Sequence, residues 1–241
     1  HGTHIEGNKL DKSEAKDILL GRDVVGRPRD IQEVINYRKV IDLIDEEAKR
    51  KIDKITEPLI KKLHRTTTDK ILLPDQIGEY RTNQVVVKDS KTGKITFRPP
   101  APIQIPFMMR EFIYWINREN KEELHPILKA AISHHQLVYI HPFIDGNGRV
   151  ARALATLILF IEGYDIRRFF SLEEYYDKDA SAYYENLQKA SSGSMTSWLE
   201  YFTYGAAREF DKVREKVLKL SRDIKLKEKF GGQQIFLGDR Q

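Results

Sequence analysis

The 241-residue sequence contains no cysteine. This absence excludes disulfide bonds, thiolate zinc sites, iron–sulfur clusters and cysteine nucleophiles, and it fits a reducing compartment. Long apolar runs are also lacking. The longest covers residues 153–161, contains a threonine, and falls short of the roughly 20 residues that a transmembrane helix needs. The N-terminal residues have no apolar core of the signal-peptide type. We therefore expect a cytoplasmic protein without a membrane contact.

The charge balance is only mildly positive. Lysine and arginine number 41 and acidic residues 36, which gives a net charge of +5. Such a surplus is compatible with anionic ligands but does not by itself indicate nucleic-acid binding. With 40% hydrophobic residues, the chain can bury a core as one large domain or two small ones. Because its first residue is His1 and not methionine, we expect the native N-terminus to lie further upstream.

The spacing of apolar residues predicts a mostly α fold. Helical periodicity begins at Asp30 and returns over the stretches 58–63, 108–117, 126–140, 149–161, 175–187 (with a break at 177–179) and 198–229. The helix at 149–161 is apolar enough to be the central helix of a bundle. One β-hairpin is predicted where two β-rich stretches flank a turn, namely residues 85–87, residues 95–97, and Asp89, Ser90 and Gly93 in the turn.

The most informative segment is 141–152, which reads HPFIDGNGRVAR. Its proline ends the preceding helix, and a glycine-containing loop then leads into the next helix. The free N–H groups and the positive dipole end at such a helix start bind phosphate well. Arg149 and Arg152 share one face of the first turn, where both guanidinium groups can reach phosphate oxygens, and Asn147 adds an amide donor.

Two further side chains in this segment suit phosphoryl-type chemistry. Asp145 offers one hard carboxylate, and Mg²⁺ is usually held by one or two carboxylates together with substrate phosphates. His141 lies on the loop rim, and the ordinary imidazole pKa of about 6.5 suits a general base at neutral pH. Together these groups equip a site for transfer by positioning and charge neutralisation. The alternative is a structural helix–loop–helix corner, and the crowding of two glycines, an asparagine and two arginines argues against it.

Residues 141–152 resemble the Fic family signature, His-Pro-Phe-x-(Asp/Glu)-Gly-Asn-Gly-Arg-x-x-Arg, at every fixed position. The resemblance extends to residues 78–87, which are similar to the strand region called the flap, and it covers roughly residues 1–205. It implies the Fic fold, a helical bundle around a central apolar helix with one β-hairpin flap. It also implies a protein adenylyltransferase that moves AMP from ATP onto a Ser, Thr or Tyr hydroxyl of a target protein and of itself.

The resemblance implies a role for each matching residue. His141 would deprotonate the target hydroxyl, Asp145 would hold Mg²⁺ between the α- and β-phosphates, and Phe143 would be a core anchor. The flap would border the nucleotide and offer a strand edge to the target protein. On composition alone, Tyr183 and Tyr184 are packing residues and His134 is a core histidine. The implied nucleotide contacts are Val85, Val86, Val87, Lys88, Asp145, Gly146, Asn147, Gly148, Arg149, Arg152, Tyr183 and Tyr184.

Residues 3–8 (THIEGN) resemble the inhibitory motif of Fic proteins, Ser/Thr-x-x-x-Glu-(Gly/Asn), with Glu6 as the glutamate. The resemblance implies that Glu6 pairs with Arg152 and removes this arginine from the γ-phosphate, so that the enzyme inhibits itself. The Ser/Thr position of the motif is Gly2 here, which departs from the family. The alternative is a capping box with Thr3 as the N-cap, in which Glu6 serves only its own helix.

These expectations divide the chain into an inhibitory helix segment at 1–10, a Fic domain at 11–205, and a charged helix and linker at 206–241. Because residues 234–241 resemble the start of a winged helix–turn–helix domain, we expect a truncated chain that would contact DNA only through that missing domain. Two other functions stay open. The site could remove AMP or transfer phosphate, UMP or phosphocholine, or it could only sense ATP within a regulatory module. Self-association into a homo-oligomer also stays open.

Overall fold

The computed structural model describes residues 2–88, 92–118, 124–164 and 172–229, with side chains up to residue 222. Within these ranges the chain forms nine α-helices and one pair of strands, which confirms the predicted mostly α fold. The elements are α1 (Lys12–Leu19), α2 (Pro28–Lys49), α3 (Glu57–Thr68), β1 (Val87–Lys88), β2 (Ile95–Phe97), α4 (Ile105–Asn117), α5 (Pro126–Ile140), α6 (Asn147–Ile161), α7 (Leu172–Lys178), α8 (Ala180–Ser191) and α9 (Thr196–Lys229). Single 3₁₀ turns lie at His4–Glu6 and Pro102–Gln104.

Helix α6 is the centre of the bundle, as its apolar sequence predicts. Val150, Leu154 and Leu157 are fully buried, and the helix packs against α2, α3 and, most extensively, α5. It ends at Ile161, and Gly163 follows in the left-handed conformation with φ = 87°, which glycine adopts without a steric penalty. Because α5 and α6 lie side by side, the loop between them is held at one end of the core.

Helix α1 is the element that the apolar pattern does not reveal. It begins with a capping box, since Asp11 accepts from the backbone N–H of Ser13 and Glu14, and Glu14 returns a bond to the N–H of Asp11. None of its residues is buried. A helix without a buried face leaves no apolar periodicity, so only the capping signal could have indicated it.

The hairpin is confirmed, but its first strand is shifted from the predicted 85–87 to Val87–Lys88. Val87 faces Phe97 and Lys88 faces Ile95, with an irregularity between the two pairs. Before β1 the two arms of the hairpin are connected by a side chain, since Gln84 Nε2 donates to the carbonyl oxygen of Pro99 over 2.9 Å. In the predicted turn Gly93 has φ = 70°, whereas Asp89 and Ser90 lie outside the described residues.

The C-terminal third packs through aromatic side chains. Helices α7 and α8 meet at the predicted break, where Asp179 accepts from the N–H of Ala182. Trp198 on α9 is fully buried and donates from Nε1 to the carbonyl of Ala131 over 2.8 Å. Helix α9 continues without interruption across residues 205 and 206, and residues 234–241 lie outside the described ranges. Among the described helices, none is both long enough and apolar enough to cross a membrane.

Candidate active site

The loop between α5 and α6 brings the signature residues together. His141 ends α5 with φ = 51°, a left-handed conformation that is unfavourable for a residue with a side chain. Histidine adopts this conformation more readily than most residues with a side chain, and here it turns the chain from α5 into the signature loop. Gly146 also has a positive φ, 76°, and is the N-cap of α6, with no side chain to cap the first N–H groups. These N–H groups at the start of α6 are therefore available to an anion.

The ring of His141 is oriented for proton abstraction. Its Nδ1 lies 3.2 Å from the carbonyl oxygen of Val138. Because a carbonyl only accepts, we assign the proton to Nδ1, which leaves the lone pair of Nε2 free to act as a base. Burial lowers the pKa of His141 below its ordinary value, and the bond to Val138 offsets this only in part. The imidazole is therefore neutral, as a base must be, at neutral pH.

Asn147 holds the shape of the loop. It is 2% exposed, and its side chain exchanges two hydrogen bonds with the backbone of Phe143, accepting over 2.9 Å and donating over 2.8 Å. Phe143 is fully buried, as expected for a core anchor, and stacks on His64 with ring centroids 3.8 Å apart. The amide that the sequence suggests as a phosphate donor therefore closes the loop instead.

His64 supports the loop from α3. Its Nδ1 accepts from the N–H of Gly78 over 2.8 Å, so its Nε2 carries the proton that is donated to the carbonyl of Asp145 over 3.0 Å. Burial lowers the pKa of His64 to about 4, the largest influence on this group. The ring is therefore neutral, and both nitrogens are used in fixing the backbone next to the signature.

Asn147→Ala is expected to lower the free energy of unfolding by about 2–3 kcal/mol, because it leaves two buried backbone groups of Phe143 without partners. Urea unfolding measures the change. Asn186→Ala is the matched control, since Asn186 makes one bond to a carbonyl of its own helix and should cost less than about 1 kcal/mol. Equal losses in the two variants would show that Asn147 does not fix the loop.

Arg149 and Arg152 form a buried cationic pair, only 8% and 3% exposed, on the first turns of α6. Glu6 lies between them. Its Oε2 accepts from Arg149 Nε over 2.8 Å and its Oε1 accepts from Arg152 Nη2 over 2.7 Å. The missing side chain of Gly148 makes this approach feasible, because a Cβ there would lie 2.5 Å from Glu6 Oε1. A carboxylate thus occupies the position that the two arginines offer to an anion.

The capping-box alternative for Glu6 is wrong. Thr3 makes no capping bond with its side chain, and the carboxylate of Glu6 is used by the two arginines. Within the predicted inhibitory helix segment at 1–10, the described residues 2–10 contain a single 3₁₀ turn at His4–Glu6, which Gly7 ends with φ = 91°. Burial alone would lower the pKa of Arg152, but Glu6, Tyr183, Glu173 and Tyr184 together outweigh burial and hold this pKa well above the ordinary value.

The 3₁₀ turn is fixed from both sides. Asn8 donates from Nδ2 to Glu33 Oε2 on α2 over 3.0 Å, and the same glutamate lies 3.3 Å from Arg149 Nη1. On the other side, the hydroxyl of Tyr184 donates to the carbonyl of Ile5 over 3.2 Å. The segment that carries Glu6 is thus a docked part of the fold.

Arg152 has a second carboxylate neighbour. Glu173 Oε1 on α7 lies 3.6 Å from Arg152 Nε, and Glu173 also accepts from the hydroxyl of Tyr37. A Cβ at Gly2 would lie 2.6 Å from both oxygens of Glu173. A residue with a side chain at this position would therefore need the carboxylate of Glu173 to move. Tyr183 completes the surroundings, with its hydroxyl 3.4 Å from Arg152 Nη1.

Asp145 lies at the mouth of the loop and is paired with cations. It accepts from the N–H of Gly146 over 2.6 Å and from Nη2 of Arg29, which is half exposed on α2. Burial alone would raise the pKa of Asp145, but Arg149 and Arg29 outweigh burial and hold it below the ordinary value. Among the described residues, no group of three or more His, Asp or Glu side chains could hold a metal alone. One ionised carboxylate fits Mg²⁺, which takes its remaining ligands from phosphates and water.

The tyrosine pair and the flap border this site in different ways. Tyr183 is 1% exposed and its hydroxyl lies 3.1 Å from Nε2 of His134, a buried residue stacked on Trp198, which confirms His134 as a core histidine. Tyr184 is 46% exposed. The flap packs on α5 where Phe97 meets Tyr139, with ring centroids 5.6 Å apart. Val85, Val86 and Val87 are half-buried along this hairpin, and Lys88 is exposed.

Several residues that shape the site have no sequence signal in the signature segment. Arg29 meets Asp145 across 116 positions, and Glu173 meets Tyr37 across 136. Contacts between distant segments leave no local pattern, so composition and periodicity could not reveal them. A weak signal exists for α2 alone, where Arg29 and Glu33 are spaced as a helical ion pair.

A family model described as Fic/DOC matches residues 54–159. A protein adenylyltransferase Fic from Nematostella vectensis is 33% identical over 215 residues, which are 88% of this chain and 47% of that protein. One from Drosophila melanogaster is 37% identical over 166 residues, 68% of this chain and 32% of that protein. The chain thus spans about half the length of these relatives, or less.

Solved structures agree with this likeness. Fic-1 from Caenorhabditis elegans, residues 134–508, superposes with a TM-score of 0.75 at 28% identity and covers 92% of this chain and 62% of its own. A Fic domain-containing signalling protein from Bacteroides thetaiotaomicron gives a TM-score of 0.74 at 26% identity, covering 88% of this chain and 81% of its own. Sequence and fold comparisons therefore point to the same family.

Proposed function

The chain belongs to the Fic/DOC family, and from this premise we propose that it transfers AMP from ATP to a Ser, Thr or Tyr hydroxyl of a target protein and of itself. The observation that carries the proposal is the juxtaposition of a neutral histidine base, a helix N-terminus and two buried arginines that already hold an anion. In the described structure that anion is the carboxylate of Glu6. Glu6 is therefore proposed as an inhibitor that occupies the phosphate position.

In the proposed reaction, His141 Nε2 removes the proton of the target hydroxyl while the hydroxyl oxygen attacks the α-phosphorus of ATP. The new P–O bond joins AMP to the protein, the bond between the α-phosphorus and the bridging oxygen breaks, and pyrophosphate leaves. The N–H groups at the start of α6, with Arg149 and Arg152, neutralise the charge on the departing phosphates. The proton stays on His141 until solvent or the leaving group takes it.

The remaining predicted ligands fit around this reaction. Asp145 would hold Mg²⁺, which supplies charge neutralisation between the phosphates and orients them. Asn147 and Gly148 would form a cradle for the phosphates through their backbone N–H groups, next to Gly146, whose own N–H donates to Asp145. Tyr183 and Tyr184 would lie near the adenine of ATP. Residues 85–88 are proposed to offer the flap edge to the target, which adds a strand to it. A cytoplasmic location of the protein stays a prediction from the sequence.

The rate of AMP transfer is expected to rise with pH, and the midpoint of this rising limb should lie below the ordinary imidazole pKa of about 6.5. His141 must be neutral to act as a base, and burial lowers its pKa in the folded protein. The fraction of His141 in the neutral, active form therefore falls only at pH values below the pKa of a free histidine. Transfer rates over about pH 5–8, measured on the Glu6→Gly variant, test this. A limb at or above the ordinary value would contradict the assignment of Nε2 as a desolvated base.

The proposed function is tested by incubating the Glu6→Gly variant with ATP and Mg²⁺ and measuring its intact mass. An added AMP on the chain, absent in Glu6→Gly/His141→Ala, supports transfer of AMP by His141. An added phosphate would keep the phosphoryl-type site but replace the transferred group. ATP binding without any covalent product, with or without added proteins, would favour the regulatory ATP sensor.

A further inference from the structure

Arg81 is a buried arginine that the proposed mechanism does not use. It lies within residues 78–87, on the stretch that leads into β1, and is 5% exposed. Its guanidinium group binds three backbone carbonyls. Nε donates to His141 over 2.8 Å, Nη1 to Asn83 over 3.0 Å and Nη2 to Pro100 over 2.7 Å. Burial lowers the pKa of Arg81, but an arginine starts so far above neutral pH that it stays charged.

The three carbonyls belong to three different segments. Asn83 leads into β1 and Pro100 follows β2, so one guanidinium group ties both ends of the hairpin together. The third carbonyl is that of His141 itself. The backbone N–H of Arg81 adds a bond to the carbonyl of Pro142 over 2.9 Å. One residue therefore fastens the base of the flap to the left-handed turn that presents the imidazole.

Among the described residues the guanidinium group of Arg81 is paired with carbonyls alone. Such a buried charge is expensive, since its desolvation is offset by dipoles and not by an opposite charge. A neutral side chain could satisfy one or two of these acceptors at lower cost. The planar fork of arginine is needed to reach three of them in fixed directions. This desolvation cost is explained if the orientation of the flap relative to His141 affects the reaction rate, because small displacements at a reacting group reduce rates strongly.

We propose that Arg81 is a positioning residue for AMP transfer, which holds the flap and the His141 carbonyl in one register so that a hydroxyl delivered along the flap meets Nε2. This inference rests on the proposed function. Arg81 itself touches neither nucleotide nor target. It acts through the backbone of His141 and through both ends of the hairpin.

The test uses Arg81→Lys in the Glu6→Gly background. Lysine keeps the charge, but its three N–H donors leave a single nitrogen and cannot reproduce the spread of the three guanidinium nitrogens. The transfer rate at saturating ATP, read from intact mass, is expected to fall about 100-fold. The dissociation constant for ADP should stay within about twofold, because the phosphate cradle is on α6. Arg98→Lys, an exposed arginine just after β2, is the matched control and should leave both quantities unchanged.

A second variant separates the two links that Arg81 makes. Gln84→Ala removes the other cross-connection of the hairpin base, from Gln84 to Pro99, without touching His141. A loss in transfer rate below about fivefold supports the link to His141. A loss equal to that of Arg81→Lys would mean that Arg81 acts only by stabilising the base of the hairpin. Should Arg81→Lys fail to fold, Arg81→Gln, which keeps two N–H donors, carries the same comparison.

The outcomes distinguish this inference from the proposed function. If the Glu6→Gly parent binds ADP but never acquires AMP, the proposed function fails and the role of Arg81 fails with it. If the parent transfers AMP and Arg81→Lys transfers it equally fast, only the inference is overturned. A parallel loss of ADP affinity and melting temperature in Arg81→Lys would also overturn it, since the residue would then be a general structural support.

Discussion

Replacing Glu6 by glycine is expected to raise the rate of AMP transfer about 100-fold. The carboxylate of Glu6 forms one charge-assisted bond with each of Arg149 and Arg152, and such bonds contribute about 1.5–3 kcal/mol each. A phosphate must displace this carboxylate before it can use the same guanidinium groups. If the competition costs about 2.7 kcal/mol, its removal corresponds to about 100-fold in productive turnover.

The measurement compares AMP incorporation by wild type, Glu6→Gly and Glu6→Gln at one ATP concentration. Glutamine keeps the shape without the charge, so we expect an intermediate rate. Glu14→Gly is the control for a loosened N-terminal region, because Glu14 belongs only to the capping box of α1 and should not activate. Equal labelling of wild type and Glu6→Gly would contradict the proposed inhibition.

The same competition predicts a pattern in nucleotide binding. Glu6 opposes the phosphates that face Arg149 and Arg152, so Glu6→Gly should strengthen the binding of ATP and ADP more than that of AMP. Ligand-dependent shifts in melting temperature report this, because a ligand that binds only the folded state stabilises it more at a given concentration when it binds more tightly. An equal gain for all three nucleotides would contradict the competition between Glu6 and the outer phosphates.

The signature loop could be predicted because its information is local. A proline, two glycines and two arginines within twelve positions specify a helix end, a turn and an anion-binding helix start. The helices could be predicted wherever one face is buried, as in α6. The same rule explains the omission of α1, which has no buried residue. Local patterns thus reveal the cradle and most of its scaffold.

The parts that could not be predicted depend on which segments meet. The pairing of Glu6 with Arg152 followed from family resemblance, and its second bond, to Arg149, came from the structure. Nothing near Gly2 in sequence indicates that Glu173 fills the space of its side chain. Likewise, the sequence around Arg81 resembles the flap, and only the folded chain shows that its guanidinium group donates to the carbonyl oxygen of His141. Register and charge pairing across the bundle are set by tertiary packing.

His141→Ala in the Glu6→Gly background is expected to lower the transfer rate about 1,000-fold, since general base catalysis contributes about 10²–10⁴-fold. His125→Ala is the matched control. It removes the histidine at the opposite end of α5, which accepts from the N–H of Ile127 as the N-cap, so it should reduce stability by about 1 kcal/mol with little change in rate.

The size of the residual rate in His141→Ala carries further information. Alanine removes the base but leaves Arg149, Arg152 and the helix N-terminus in place, so ADP affinity should be unchanged. Any transfer that remains then measures how much positioning and charge neutralisation achieve without proton abstraction. A loss of less than about tenfold would mean that the target hydroxyl loses its proton to solvent. A loss near 1,000-fold, without the low-pH limb, would make the buried, neutral Nε2 the group that starts the reaction.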